Sequence, residues 1–155
     1  MQLTSFTDYA LRLLMLAQAA GDRLITIEEA ATRYRISKPH LMKVANELTR
    51  AGFLRAVRGR GGGLKLGKAS EDIRLGDVVR ATEPGFALVE CFATGNQCTA
   101  TAICRLPRVL NEALSAFLGT LDKYTLVDIA LGGMPGEVGF RIPAAVLPST
   151  SPEVT

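Results

Sequence analysis

The opening of the chain carries apolar residues at the spacing of a helix. From Phe6 to about Ala20 they recur every three or four positions, which predicts an amphipathic helix. Either Ser5 or Thr7 is suited to cap its first turn, and Gly21 is placed to end it. The apolar face of this helix needs a packing partner.

Two more helical segments follow, separated by only three residues. Thr26 precedes a segment that ends near Arg33, and the two acids in its first turn suit the positive end of a helix dipole. Ser37 is expected to cap the next segment, which tolerates Pro39 in its first turn and keeps helical spacing until Gly52. This arrangement predicts a helix-turn-helix.

After the third helix the pattern becomes that of a β-hairpin. Segments 53–57 and 64–66 are strand-like, and segment 58–63 between them contains only arginine and glycine. Another short helix is predicted over 76–82. The hairpin and the helices together predict a winged helix-turn-helix domain over residues 1–83.

The rest of the chain contains one long helix between two segments without a regular period. Segment 84–105 contains all three cysteines, and we predict a loop there. From Leu106 a broad apolar stripe predicts a long helix that needs a partner surface, with a capping-box-like start for a last turn at Thr125. Segment 132–155 is rich in Gly, Pro and Ser, which predicts a flexible tail. The expected fold class is mainly α with a small β-hairpin.

Length and composition fit one globular domain with appendages. The chain has 155 residues, 48% of them hydrophobic and 21% charged, which is enough for a hydrophobic core. Its N-terminus lacks a basic stretch, and Arg12 interrupts the only long apolar run there. We therefore expect neither a signal peptide nor a membrane span, and we place the protein in the cytoplasm.

Basic residues are concentrated in the first half of the chain. Residues 1–80 have a net charge of +6, from 14 Lys or Arg and 8 Asp or Glu, whereas residues 81–155 have a net charge of −3. Segment 33–68 contains ten basic residues and a single acid, Glu47. Such a local positive field neutralises phosphates, which indicates a nucleic-acid partner.

The predicted helix-turn-helix and hairpin supply the candidate contacts to double-stranded DNA. A recognition helix presents its first turns to base edges in the major groove, and the arginines of the hairpin tip can reach phosphate or a minor groove. The alternative is a solvated basic face on an ordinary three-helix core, but charge, capping and hairpin together favour DNA. The candidate residues are Ser37, Lys38, His40, Lys43, Arg58, Arg60, Gly61 and Gly62.

The three cysteines are spaced C-x6-C-x5-C, at Cys91, Cys98 and Cys104. An odd number within 14 residues is a poor disulfide framework, and the paired C-x2-C of structural zinc is absent. Thiolates are the usual ligands of iron–sulfur clusters, and a loop of this length could wrap a cluster, although one iron position would lack a thiolate. Three buried or redox-active thiols are the alternative.

Other chemistry has little support in the sequence. His40 is the only histidine and lies in the predicted recognition helix, so a DNA contact or an exposed position is the better interpretation than a metal ligand. The sequence shows neither a paired nucleophile and base nor a phosphate-binding loop. We therefore expect no enzymatic activity.

Several longer segments of the chain resemble a known family. The segments are LTSFTDYALRLL, ISKPHLMKVANELTRAGFLRAVRGRGGGLKLGK, IRLGDVVRATEP and LDKYTLVDIAL, together with the three cysteines. They are similar to the Rrf-type winged-helix regulators from Met1 to about Ala130, and particularly to the nitric-oxide-sensing repressors among them. This resemblance implies a homodimer paired through region 106–131, which binds a roughly palindromic operator with one recognition helix per half-site.

The resemblance also implies a set of cluster ligands. The three cysteines of loop 84–105 match the family's ligands, and Asp8 stands where nitric-oxide-sensing members can take a fourth ligand from the other subunit. Taken alone, Asp8 would be an ordinary acid near a helix N-terminus. Members that regulate cluster biogenesis use a histidine shortly after the third cysteine, and segment 105–108 has none. The expected cofactor is a 4Fe-4S cluster, with 2Fe-2S as the alternative.

The resulting hypothesis is a repressor whose cluster is lost on reaction with nitric oxide, which lifts repression. One rival is a regulator that senses iron–sulfur supply or redox state. A rival from another class is a small electron-transfer iron–sulfur protein, and the ten-to-one basic excess in segment 33–68 argues against it.

Overall fold

The computed structural model describes residues 2–92, 95, 97–99 and 103–131. In this described part of the chain the fold consists of five α-helices and one two-stranded antiparallel sheet, so the predicted class, mainly α with a small hairpin, is confirmed. The predicted tail, 132–155, lies outside the described residues. The elements are α1 (Ser5–Ala19), α2 (Ile27–Tyr34), α3 (Lys38–Arg50), β1 (Leu54–Val57), β2 (Gly63–Leu66), α4 (Leu75–Thr82) and α5 (Leu106–Leu121), with 3-10 turns at Ser70–Asp72, Glu90–Phe92 and Leu126–Ile129.

The core forms around the apolar face of α1. Leu13 and Leu14 are fully buried there, and α1 packs against α3, α4 and β2. Leu41 and Leu48 of α3 are also fully buried. Burial of each such leucine contributes roughly 2 kcal/mol of transfer free energy, so this face fixes α3 on α1.

The start of α1 differs from the prediction of a Ser5 or Thr7 cap. Thr4 is the N-cap, and its hydroxyl accepts a hydrogen bond from the Thr7 N–H at 3.3 Å. Thr7 is fully buried, with its hydroxyl 2.9 Å from that of Thr82 in α4. Because this contact joins residues 75 positions apart, the local pattern gave no sign of it.

The turn between α2 and α3 is closed by a left-handed residue. Arg35 has φ 55° and ψ 42°, and the Ile36 N–H donates to the Ala31 carbonyl at 3.2 Å. Ser37 precedes α3 as predicted, but its side chain makes no capping hydrogen bond, and Pro39 occupies the first turn. The predicted helix-turn-helix is therefore present.

The hairpin is attached to the helical core through one additional segment. Within the hairpin, Leu54 pairs with Leu66 and Val57 pairs with Gly63. Outside it, Ile25 and Leu64 exchange two backbone hydrogen bonds of 3.0 and 2.7 Å. The hairpin thus continues into the residues just before α2, which gives the winged helix-turn-helix arrangement.

After the hairpin, helix α4 is hydrogen-bonded to the residue that follows α5. Arg80 donates two hydrogen bonds of 2.7 Å to the Asp122 carboxylate. The predicted capping box is confirmed, since Thr125 and Asp128 bond reciprocally at the start of the last 3-10 turn. In the described part of the chain, no helix has the length and apolar character that a membrane span needs.

Candidate DNA interface and cysteine loop

The recognition-helix candidates all lie on the surface of the domain. Ser37, Lys38, His40 and Lys43 are exposed, whereas the opposite side of α3 is buried. Lys38 forms an ion pair with Glu28 of α2. The first turns of α3 therefore present polar and basic groups to solvent, as a groove-binding helix requires.

His40 and Lys43 also border a hollow of about 360 Å³ between α1 and α3. Its remaining lining comes from Val44 of α3 and from the first half of α1, including Phe6 and Tyr9. Two of the predicted DNA-binding residues thus lie directly beside the helix that carries Asp8.

The predicted wing residues lie together at the tip of the hairpin. Arg58 and Arg60 are exposed, and Gly61 has φ +77°, a conformation that favours glycine. A side chain at Gly62 would overlap the Val57 carbonyl oxygen. The hairpin turn itself therefore requires glycine at these two positions.

Several basic side chains of this surface have no acidic partner. Within the described part of the chain, Lys43, Arg58 and Arg60 have no carboxylate within 4.0 Å, whereas Arg50 pairs with Glu47. Unpaired cations are the groups that exchange their counterions for phosphates. The face formed by α3 and the wing is thus electrostatically open to a polyanion.

The three cysteines lie on the segment between α4 and α5. Cys91 is half-buried in a 3-10 turn, and Cys98 and Cys104 are exposed. Among the residues that the structure describes, no three His, Cys, Asp or Glu side chains are close enough together to hold a metal ion. Three accessible sulfur donors nevertheless have the ligand chemistry of an iron–sulfur cluster, and binding would require the loop to gather them.

Asp8 lies in the first turn of α1 and is ion-paired within its own helix. Its carboxylate is 2.7 Å from an Arg12 guanidinium nitrogen and accepts a second bond, of 2.9 Å, from Arg12 Nε. The Asp8 side chain is 45% exposed, so it is accessible to a neighbouring molecule.

A hydrogen-bonded joint connects α1 with the start of the cysteine loop. Glu83, the residue before Pro84, accepts hydrogen bonds from the Thr4 N–H at 2.8 Å and from the Thr4 hydroxyl at 3.1 Å. The contact between Thr7 and Thr82 lies beside it. Sequence reasoning missed these residues because their partners lie 75 and 79 positions away, and no local signal could have found them.

Helix α5 leaves an apolar stripe uncovered. None of its 16 residues is buried, and Leu106 and Val109 are 52% and 59% exposed. Ala113 and Ala116 continue the stripe at alternating intervals of three and four residues, which is the spacing of a helix-pairing seam.

The sequence comparisons define the family. Residues 3–131 match the Rrf2 family, described as "Iron-dependent Transcriptional regulator". The chain therefore belongs to the Rrf2 family of transcriptional regulators. It is 51% identical over 133 residues to the HTH-type transcriptional regulator NsrR of Bacillus licheniformis, covering 84% of this chain and 93% of that protein. It is also 51% identical to NsrR of Bacillus subtilis, with 83% and 90% covered.

The solved structures share the fold. T. potens IscR superimposes with a TM-score of 0.66 at 24% identity, over 83% of this chain and 85% of that one. A transcriptional regulator from Listeria innocua gives a TM-score of 0.69 at 26% identity, with 92% and 95% covered. These structures support the winged-helix assignment.

Proposed function

We propose that this protein is a nitric-oxide-responsive transcriptional repressor, which binds a palindromic operator in the cytoplasm as a homodimer and depends on a 4Fe-4S cluster for its DNA affinity. The family membership and the 51% identity to regulators named NsrR support the regulatory role. The unpaired basic face formed by α3 and the wing carries the DNA-binding part of the proposal.

The proposed DNA contacts come from two elements. The exposed residues of α3 enter the major groove, and Arg58 and Arg60 of the wing contact phosphate or an adjacent minor groove. The two bonds between Ile25 and Leu64 hold the wing to the core, so both contacts move as one body. Besides the arginines, the proposed DNA-binding residues are Ser37, Lys38, His40, Lys43, Gly61 and Gly62.

The proposed cluster ligands are Cys91, Cys98 and Cys104 from one subunit and Asp8 from the other. The cluster, when bound, supplies iron that reacts with nitric oxide. To act as a ligand, Asp8 has to exchange its ion pair with Arg12, so ligation also changes the surroundings of α1. A carboxylate is a harder ligand than a thiolate, which makes this position the weakest of the four.

The joint at Glu83 gives a physical route from the cysteine loop to DNA. The loop begins one residue after Glu83, which is bonded to Thr4 at the start of α1. Helix α1 in turn packs against the recognition helix α3. Gathering the cysteines would therefore bias the position of α3, and a ligand controls DNA affinity only through such a difference between two conformations.

The stripe on α5 is the proposed dimer seam. A second copy of the chain is the occupant that its spacing favours, because Leu106, Val109, Ala113 and Ala116 repeat as in paired helices. A twofold dimer presents two copies of α3, which matches a palindromic operator.

The salt dependence of DNA binding tests the role of the wing. Arg58→Gln and Arg60→Gln should each weaken binding and reduce the slope of log affinity against log salt by about one, because each loses a phosphate contact. Lys123→Gln is the matched control, since it removes one exposed charge beyond α5. If both wing variants keep the wild-type slope, the wing does not contact DNA.

A further inference from the structure

The side of α3 that faces away from the core contains only one of the four contacts predicted from the sequence in this region, Lys43. Opposite the buried positions 41, 44, 45 and 48 lie Pro39, Met42, Lys43 and Asn46, all exposed. Their spacing of three and four residues places them on one side of the helix. By the same geometry, Lys38 and His40 flank this face on either side.

Two residues of this face carry no charge and suit base edges better than phosphates. Met42 is apolar and yet 55% exposed. The Asn46 amide makes no hydrogen bond within the described part of the chain, whereas Lys38 and Arg50 are held by Glu28 and Glu47. An unengaged amide and an exposed thioether are therefore both available to a ligand that lies along α3.

The chemistry of these side chains matches an A·T base pair. An asparagine side-chain N–H can donate to adenine N7 while its amide oxygen accepts from the exocyclic N6 amine, which is the bidentate pairing with the N6 and N7 edge of adenine. An apolar side chain is suited to the thymine methyl group. Along the axis, Met42 and Asn46 are about 6 Å apart, roughly two base-pair steps, and Pro39 to Asn46 spans about 10 Å, within the major groove.

We propose that Asn46 reads an adenine and that Met42 packs against a thymine methyl, so that each operator half-site carries A·T pairs about two steps apart. This inference rests on the proposed function, since it assumes that α3 enters the major groove. It assigns sequence specificity to these two residues and leaves the surrounding basic groups to supply affinity.

Selection from a pool of random duplexes tests the assignment. The full-length protein, purified anaerobically, should select half-sites that contain the two A·T pairs. Asn46→Ala should lose the preference at one position and bind the wild-type site about 5- to 150-fold more weakly. Met42→Ala should lose the preference at another position. Ser115→Ala, an exposed change on α5 and away from α3, is the control and should keep the wild-type profile.

Thymine analogues provide a second readout that does not depend on variant stability. Replacing the contacted thymine by uracil removes only its methyl group, so wild-type protein should lose affinity and Met42→Ala should not. A sequence-specific wild-type profile that neither Asn46→Ala nor Met42→Ala alters would overturn this inference and leave the proposed function standing. A wild-type protein that selects no sequence would overturn both.

Discussion

Single charged residues hold the end of α5 to the DNA-binding half. The two hydrogen bonds from the Arg80 guanidinium hold the pKa of Asp122 below its usual range and raise the pKa of Arg80. Arg74 adds a hydrogen bond to the Asp122 backbone carbonyl at 3.3 Å. Asp122 is thus bound to the residue that precedes α4 and to one in its last turn, and its ionised form is the one that the folded state favours.

This ion pair predicts a dependence of stability on pH. Because the pKa of Asp122 is lowered in the folded state, its stabilising contribution is present above the ordinary aspartate pKa, about 3.9, and is lost as the pH falls through the lower folded value. Asp122→Asn should therefore be less stable than wild type at pH 7, and the difference should shrink below pH ~4.

Urea unfolding at a series of pH values measures this difference. Asp22→Asn is the control, because Asp22 is exposed and has no ion-pair partner in the part of the chain that the structure describes. A stability difference for Asp122→Asn that stays constant from pH 7 to pH 3 would show that the ion pair does not contribute.

At the scale of elements, α4 meets the turn after α5 at Gly76, where an added Cβ would displace the Asp122 side chain. A side chain at Gly76 would overlap the Asp122 carboxylate and approach Arg80 Nη1 to 2.9 Å. The absence of a Cβ at Gly76 therefore permits the contact between the beginning of α4 and the turn after α5.

Substitution of Gly76 should disturb the contact between α4 and the turn after α5. Gly76→Ala should destabilise the protein by about 1–3 kcal/mol, because it displaces Asp122 by more than the improved helix propensity offsets. Gly119→Ala is the matched control: a Cβ there meets nothing within 4 Å, so its stability should stay the same or rise by up to about 1 kcal/mol. Thermal unfolding of both variants checks this, and equal behaviour would refute the close-packing argument.

The elements also show how far local sequence determines this fold. The turn signals and helical spacing predicted helices α1 to α5 and the hairpin to within about a turn, because caps, glycines and apolar periodicity act over a few residues. The capping box at Thr125 and Asp128 was predictable for the same reason. The predicted cap of α1 was wrong, because the Thr7 hydroxyl bonds to a distant residue, Thr82. The joint at Glu83 could not be predicted, because it also depends on a contact between distant residues.

The candidate site follows the same division. Sequence identified α3 and the wing, because charge and glycine content are local properties. The contacts predicted from the sequence lie in the first turns of α3. The side of α3 that faces solvent depends on how the helix packs against α1, and its centre lies further along the helix, near Asn46. The cysteines were identifiable by type, but local spacing does not encode how the proposed ligands, of which one would come from the other subunit, are arranged.

At the scale of the whole molecule, the proposed repressor is a dimer of two chains. The uncovered stripe on α5 has a broad apolar surface, and Val109 at 59% exposure lies within it. Val109→Glu would place a charge in the proposed seam, where burial without a partner is costly. This variant should be largely monomeric at concentrations where wild type is dimeric.

Light scattering coupled to gel filtration measures the difference. Ser115→Glu introduces the same charge on the same helix, at an exposed position outside the stripe, and should remain dimeric. If Val109→Glu remains dimeric, the stripe on α5 is not the surface through which the subunits pair.

The proposed function depends on an iron–sulfur cluster on the cysteine loop that controls DNA affinity and responds to nitric oxide. The most direct test titrates nitric oxide into anaerobically purified protein, and follows cluster absorption together with binding to a duplex selected by the protein. Absorption and affinity should fall together at the same ratio of nitric oxide to protein, and Cys104→Ser should neither show the absorption nor respond. Anaerobic preparations without iron and acid-labile sulfide, or a cluster that reacts while DNA affinity stays unchanged, would contradict it.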